Sequence, residues 1–235
     1  MEGLVKLYIG NKTYSSWSMR PWVLMQACDI AFEEVFVPFD GFEAHHEFKK
    51  KMKRLHASAT VPLLEADGLI IGDSLAITEY LFEQFPNAGI WPEERQARAK
   101  ARLLAAIMHS GFAALRSHCL MNIGADLSEV GTRLYEETPS LRADMALLES
   151  LLTPHLEMQA DGGFIFGTFS AADAFYAPVM TRIQTYGLPV SPLMKRYQRS
   201  VLSHDAVRLW YDGALAENSF LAFEEPYRSA PTHNK

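Results

Sequence analysis

Between Leu4 and Ile9 the apolar positions alternate about Lys6, and a second short apolar run follows at Glu34-Val35-Phe36-Val37-Pro38-Phe39; both patterns predict β-strands. The segment separating them, Met19 to Phe32, has helical spacing, with Trp22, Met25, Gln26 and Asp29 on one face and Val23, Leu24, Ala27 and Ile30 nearer the other. A strand, a helix and a strand in so short a stretch predict a βαβ unit with parallel strands. A charged helical stretch, Ala44 to Leu55, leads to two apolar runs, Val61–Glu65 and Leu69–Ile71, on either side of Asp67-Gly68. Asp-Gly between apolar runs is a hairpin signal, so these last strands are expected to be antiparallel. A further helix from Ser74 to Phe85 is closed by Pro86-Asn87-Ala88-Gly89.

Beyond Trp91-Pro92 the pattern keeps a helical period. One long helix is expected to carry Ala101, Leu104, Met108, Phe112 and Leu115. Thr138-Pro139 opens another, with Pro154 expected to kink or end it, and Ser170-Ala171-Ala172-Asp173 can close a capping box at the start of a helix running to Gly187. Two shorter helices follow, near Pro192–Leu202 and Ala206–Ala216, the second with Asp205 as its candidate cap. The tail from Pro226 to Lys235 is polar and expected to be loose. The fold class is therefore a small α/β domain, residues 1–86, joined by a short linker to an all-helical domain, residues 93–235.

Composition narrows the possibilities. The 235 residues are 49% apolar and 21% charged, a globular balance. No apolar run approaches the roughly 18 to 20 residues of a membrane span, and no secretory leader is legible, so a soluble cytoplasmic protein is expected. Two cysteines, Cys28 and Cys119, build neither a disulfide framework nor a Cys-rich metal cluster. His45-His46-Glu47 lacks the spacing of a His-Glu-x-x-His site, so no metal is expected. A net charge of −6 argues against general nucleic-acid binding; the one basic run, Lys49 to Arg54, reads as a solvated helix face or as an attractor of an anionic ligand.

Three short constellations carry candidate chemistry. Asn11 to Pro21 places several hydroxyls, Ser15 and Ser16 foremost, between the first strand and the first helix. A thiolate there would be stabilised by the helix terminus and by a serine donor, although the same serines can equally cap the helix or fill a polar loop. At Thr60-Val61-Pro62 a proline begins a strand; with a cis Val61–Pro62 bond, Val61 can offer its backbone to a peptide-like ligand, the alternative being an ordinary edge-strand proline. Asp73-Ser74 opens the last helix of the first unit. Ser74 and the free N–H groups can take a carboxylate while Asp73 takes an ammonium, which together describe an amino-acid head group; simple capping is the alternative.

The order and spacing of Ser15-Ser16-Trp17-Ser18-Met19-Arg20, Thr60-Val61-Pro62 and Asp73-Ser74-Leu75-Ala76-Ile77 resemble those of the glutathione S-transferase superfamily, over nearly the whole chain. The first motif resembles the SSCSxR signature of the serine-type zeta class, the second the family's cis-proline turn, the third its γ-glutamyl grip, and Ser170 to Asp173 its helical capping box. The resemblance implies a thioredoxin-like βαβαββα domain that binds glutathione as co-substrate, followed by a helical domain that supplies an electrophile pocket, in a homodimer. It implies a glutathione transferase whose Ser15 or Ser16 hydroxyl holds the thiol as thiolate, with Trp17, Val61, Pro62, Asp73 and Ser74 contacting the tripeptide.

Trp17 stands where the zeta motif has Cys, which removes the motif's only thiol and weakens the case for zeta-type isomerase chemistry; Cys28, inside the first helix, is read as a core residue. Met108, His109, Phe112, Leu115 and Arg116 lie where the family's long helix faces the thiol, followed by Met121 and Asn122, and are candidates for a small hydrophobic electrophile's pocket. For Met108, Phe112 and Leu115 core packing is the competing reading. A glutathione-dependent isomerase or dehalogenase, and a non-catalytic binding module, are the other functions compatible with these residues.

Overall fold

A computed structural model describes residues 5–159 and 163–230 of the chain. Four strands form one mixed sheet in the order β2-β1-β3-β4. β1 (Lys6–Ile9) pairs in parallel with β2 (Glu33–Phe36), and β3 (Leu63–Ala66) runs antiparallel to both β1 and β4 (Leu69–Gly72). Asp67 and Gly68 join β3 to β4 with φ of +48° and +80°, the pair of left-handed residues that lets a two-residue turn follow the strand twist. Leu4 lies outside the described residues.

Helix α1 (Ser16–Ala27) returns the chain from β1 to β2 and begins earlier than its apolar period suggests, because its first turn carries Ser16 and Ser18, both buried. It ends before Cys28, which is its C-terminal cap and only half-buried, not an interior helical residue. Helices α2 (Glu47–Leu55) and α3 (Ser74–Gln84) complete this layer. The β1–α1–β2–α2–β3–β4–α3 order is the thioredoxin-like arrangement, and among the described residues after it the regular elements are helices, apart from two isolated bridges near Phe164–Thr168.

The expected long helix is instead two. α4 (Arg95–Ser110) stops at Gly111, and α5 (Ala113–His118) starts after Phe112, whose φ of +56° is left-handed. In the extended conformation that Gly111 takes here, a Cβ would sit 2.7 Å from the Ile107 carbonyl oxygen, so the break itself calls for a residue without a side chain. α6 (Ser128–Glu137) has no counterpart in the sequence reading; its Gly131 lies so close to the backbone of Tyr186 that a Cβ would overlap the Tyr186 carbonyl. α7 (Pro139–Leu156) runs through Pro154 and ends within its final turn. α9 (Pro192–Ser203) and α10 (Asp205–Glu217) follow, and the cap of α10 is His204, whose Nδ1 accepts the Ala206 N–H at 3.3 Å, rather than Asp205.

α8 (Ala171–Thr185) is the central pillar, buried at nearly every position and packed against α1, α4 and α9. The expected capping box is present. Asp173, fully buried, accepts from the backbone N–H groups of Ile165 and Ser170, both at 3.0 Å, and from the hydroxyls of Ser170 and Tyr197, at 3.1 and 3.2 Å. Burial pushes its carboxyl up to about 6 against the downward pull of those four bonds. The Ala171 N–H reaches back to the Ile90 carbonyl, which ties the linker to the pillar. Gly187, with φ of +57°, ends α8 in a Schellman turn, Leu188 N–H on Ile183 and Gly187 N–H on Gln184. One apolar core runs from Leu7, Ile9 and Leu24 of the sheet layer through Phe175 to Leu148 and Trp210 of the helices. Each such fully buried side chain contributes about 1.5 to 3 kcal/mol.

The segment after α10 is not loose where it is described. A 3₁₀ turn, Ala222–Glu224, leads to buried Glu225, and the hydroxyl of Tyr227 donates to the His118 carbonyl at 2.8 Å. Residues 231–235 of the expected tail lie outside the described residues.

Candidate active site

The loop from β1 to α1 is a buried polar segment held at several points. Asn11 to Ser16 are all buried. The Asn11 side-chain oxygen accepts the Phe39 N–H at 2.8 Å, and its carbonyl accepts from Tyr14 and Ser15. Lys12 offers its N–H to both Glu217 oxygens, at 2.8 and 3.0 Å, and its carbonyl to the Trp210 indole at 3.0 Å. The Tyr14 hydroxyl meets Glu225 at 2.7 Å, the Ser219 carbonyl at 3.1 Å and the Leu221 N–H at 3.2 Å. α10 and the segment after it thus fix where the serines stand.

Ser15 is the N-cap of α1, yet its side chain accepts none of the helix N–H groups; its Oγ lies 2.7 Å from the Ser18 Oγ. Ser16 Oγ accepts from Arg182 Nη2 at 3.1 Å, which leaves its own hydrogen free to be donated. Both serines line a cavity of about 320 Å³. Its walls come from both parts of the chain: Trp17, Phe39, Thr60 and Val61 on the sheet side, and Arg116, Met121, Arg182 and Glu224 on the helical side.

Val61 lines this cavity, its bond to Pro62 is cis, and Pro62 itself is buried behind it. Register Leu63↔Gly72 brings this turn beside Asp73-Ser74, which the sequence left far apart. Asp73 has φ of +87°, a conformation that L-residues rarely hold and that costs about 1 to 3 kcal/mol. Its Oδ1 caps α3 through Leu75 and Ala76 at 2.8 and 3.2 Å, and its Oδ2 lies 3.0 Å from His109 Nε2. Ser74 is fully buried, and its hydroxyl has no partner among the described residues.

His109 also meets the Trp17 ring edge-on, with ring centroids 5.2 Å apart, so it connects Asp73 to the cavity wall without lining it. Burial lowers its pKa, the neighbouring Asp73 opposing that shift.

Of the expected electrophile residues, Arg116 and Met121 line the cavity. Met108, Phe112 and Leu115 do not; they are core residues, and the break at Gly111 turns α5 away from the line of α4. Asn122 is buried and donates to Glu225 at 2.5 Å, holding the last segment rather than facing the cavity. Arg182, Glu224 and Tyr14 were not anticipated. Arg182 sits on a helix that reads as pure core, and Glu224 in a stretch with no periodic signal. The two thiols, raised by burial to about 11 for Cys28 and about 12 for Cys119, lie outside the cavity.

Beneath Trp17 is a cluster of guanidinium groups. Arg20 is buried between the Trp17 ring, 4.1 Å from its centroid, and the Phe175 ring, at 5.1 Å, and none of its side-chain nitrogens has a hydrogen-bond partner among the described residues. Arg116 lies 5.4 Å from the same Trp17 centroid, its Nε also unpaired among the described residues. Burial, with Arg182 and Arg116 nearby, lowers Arg20 to about 9, and burial lowers Arg182 to about 10. Among the described residues no group of acidic, histidine or cysteine side chains is placed to hold a metal ion, and no helix is long and apolar enough to cross a membrane.

Residues 14–84 match the family model of the glutathione S-transferase N-terminal domain. Glutathione S-transferase 1 of Dianthus caryophyllus is 26% identical over 87% of this chain and 90% of its own, and maleylacetoacetate isomerase of Rattus norvegicus is 26% identical over 79% and 81%. Among solved structures, a glutathione transferase homologue from Burkholderia with bound glutathione superposes with a TM-score of 0.67 at 24% identity, over 91% of this chain and 99% of that one. A maleylacetoacetate isomerase from Methylobacterium extorquens with bound malonate and glutathione gives 0.63 at 28%, over 89% and 97%. Residues 14–84 thus match the N-terminal domain of the glutathione S-transferases, and over most of its length the chain is similar to a glutathione S-transferase and to maleylacetoacetate isomerases.

Proposed function

We propose that the protein is a glutathione transferase in which the Ser15–Ser16 pair donates hydrogen bonds to the sulfur of glutathione and holds it as a thiolate for attack on an electrophile. The observation that carries this reading is one cavity walled by both serines, the start of α1 and the Val61 backbone. A thiol titrating near 8.5 is ionised only to a few per cent at neutral pH. A donated hydroxyl, the open helix terminus and the Arg182 charge behind Ser16 all favour the anion. The α-amino group of the γ-glutamyl end would meet Asp73, and its carboxylate the unpartnered Ser74 hydroxyl and the N-terminus of α3. The peptide portion would pair with the Val61 backbone beside the cis proline. In the same reading the unit of residues 1–86 holds glutathione, that of residues 93–235 supplies much of the electrophile site, and the chain works as a cytoplasmic homodimer in detoxification. Retention on immobilised glutathione, together with turnover of 1-chloro-2,4-dinitrobenzene, tests it.

The guanidinium cluster favours a second substrate that carries a carboxylate over a purely hydrophobic one, and it keeps glutathione-dependent isomerisation open beside conjugation. Arg116 and Arg182 bring two positive charges to the cavity wall, and a bound carboxylate would pair with them. Arg116 is half-buried at the cavity wall. Arg116→Gln is therefore expected to raise KM at least tenfold for a carboxylated electrophile and much less for the neutral aryl chloride, a ratio read directly from steady-state kinetics. Equal changes for both substrates would contradict an anion-binding role.

A further inference from the structure

We propose that Glu224 is the proton acceptor of the site, taking the proton from the sulfur of glutathione as it becomes a thiolate; this rests on glutathione occupying the serine cavity. Holding a thiolate is one requirement, and its proton also needs a destination. Five ionisable side chains line the cavity: Tyr14, Lys49, Arg116, Arg182 and Glu224. Lys49, Arg116 and Arg182 are cations without a lone pair to offer. Tyr14 already donates its hydroxyl hydrogen towards Glu225 and Ser219 and accepts from Leu221. Only Glu224 is built to accept a proton there.

Its placement is specific. The Tyr14 hydroxyl grips Leu221 and Glu225, on either side of Glu224 in sequence, and Tyr14 directly precedes the serine pair. Glu225 is itself fixed by Tyr14, Asn122 and Arg228. While Ala222 and Phe223 of the 3₁₀ turn face outward, the Glu224 side chain lines the cavity and has no hydrogen bond among the described residues. Phe223 contacts Phe42 edge-to-face with centroids 5.4 Å apart, and Phe42 meets Phe39 at 5.3 Å, so aromatic rings shield this rim.

The groups that act on Glu224 electrostatically are Arg182 from α8, which favours the carboxylate, and Glu225, which opposes it; Arg116 of α5, Lys49 of α2 and Tyr14 complete the ionisable lining. Burial outweighs Arg182 and raises the carboxyl to about 7, where a base is matched to a thiol used at neutral pH.

In the step itself the S–H bond breaks, its proton passes to a Glu224 oxygen, and the electron pair left on sulfur forms the S–C bond. With an aryl chloride the C–Cl bond then breaks and chloride leaves; Glu224 afterwards gives its proton to solvent. If glutathione is instead eliminated, Glu224 returns the proton to sulfur.

The test is the pH profile of kcat/KM for 1-chloro-2,4-dinitrobenzene in wild type, Glu224→Gln and Glu224→Asp, with glutathione affinity measured by calorimetry on the same proteins. Wild type is expected to lose activity as the pH falls below about 7. The Gln variant should fall at least tenfold at pH 7, with its acid limb displaced towards the titration of free thiol near 8.5, while its glutathione affinity stays within threefold. The Asp variant should regain most of the loss. An unchanged profile for the Gln variant overturns the proposal, and so does a loss confined to glutathione affinity, which would make Glu224 a binding residue. If wild type itself binds no glutathione, the parent reading fails instead, and that result is distinguishable from either.

Discussion

Replacing Ser15 and Ser16 together by alanine is expected to lower kcat/KM with 1-chloro-2,4-dinitrobenzene by about 10²- to 10³-fold, the loss typical when donors aimed at a reacting anion are deleted. The effect is large because the site is preformed. Both serines are about 5% exposed, and the loop that carries them is anchored to α10 and to Glu225. The loss belongs in the ionisation of bound thiol, so activity of the double variant should recover as the pH is raised towards 9. The single variants divide the role: Ser16 has Arg182 behind it, and Ser15 is the cap whose oxygen the helix does not use. A double variant within threefold of wild type at pH 7 would contradict thiolate stabilisation by this pair.

The second large effect is on stability. Asp173→Ala removes the acceptor for two backbone N–H groups and two hydroxyls in a fully buried setting, at the start of the central helix against which α1, α4 and α9 pack. Each donor left without a partner costs about 1 to 3 kcal/mol, and as they relax together a total near 3 to 5 kcal/mol is expected. Urea denaturation monitored by tryptophan fluorescence measures it as a lowered midpoint. A change below 1 kcal/mol would mean that the box is dispensable and that α8 is held by apolar packing alone.

The elements that were legible are those whose signal is local. Asp67-Gly68 announced the hairpin because only a few residue types tolerate two consecutive left-handed conformations. Ser170 and Asp173 announced α8 by the spacing of a capping box. Long-range geometry was much less accessible. The spacing of Leu104, Met108, Phe112 and Leu115 is as good for one helix as for two, and only the approach of Gly111 to Ile107 and the left-handed Phe112 show the break. With that break, Met108, Phe112 and Leu115 become core, while Arg116 stays at the cavity.

The serine turn, the Val61–Pro62 turn and the Asp73–Ser74 pair were visible as short motifs, but their convergence depends on the β3–β4 register and on how α8 and α10 close over the loop. Arg20 had only its place in the serine motif to mark it, and nothing in a linear reading shows that its guanidinium is stacked between Trp17 and Phe175. Glu224 was invisible for a related reason: it is one acidic residue in an aperiodic stretch, brought to the cavity by contacts of its neighbours with Tyr14, more than 200 positions earlier.

The central claim is that this cavity binds glutathione with its sulfur as an anion. Ultraviolet absorbance of thiolate, followed across a pH titration of glutathione bound to the wild-type protein, reads that state directly. A saturable signal whose midpoint lies at least one pH unit below the 8.5 or so of a free thiol is the predicted result. Absence of saturable binding, or a midpoint equal to that in water, would contradict it.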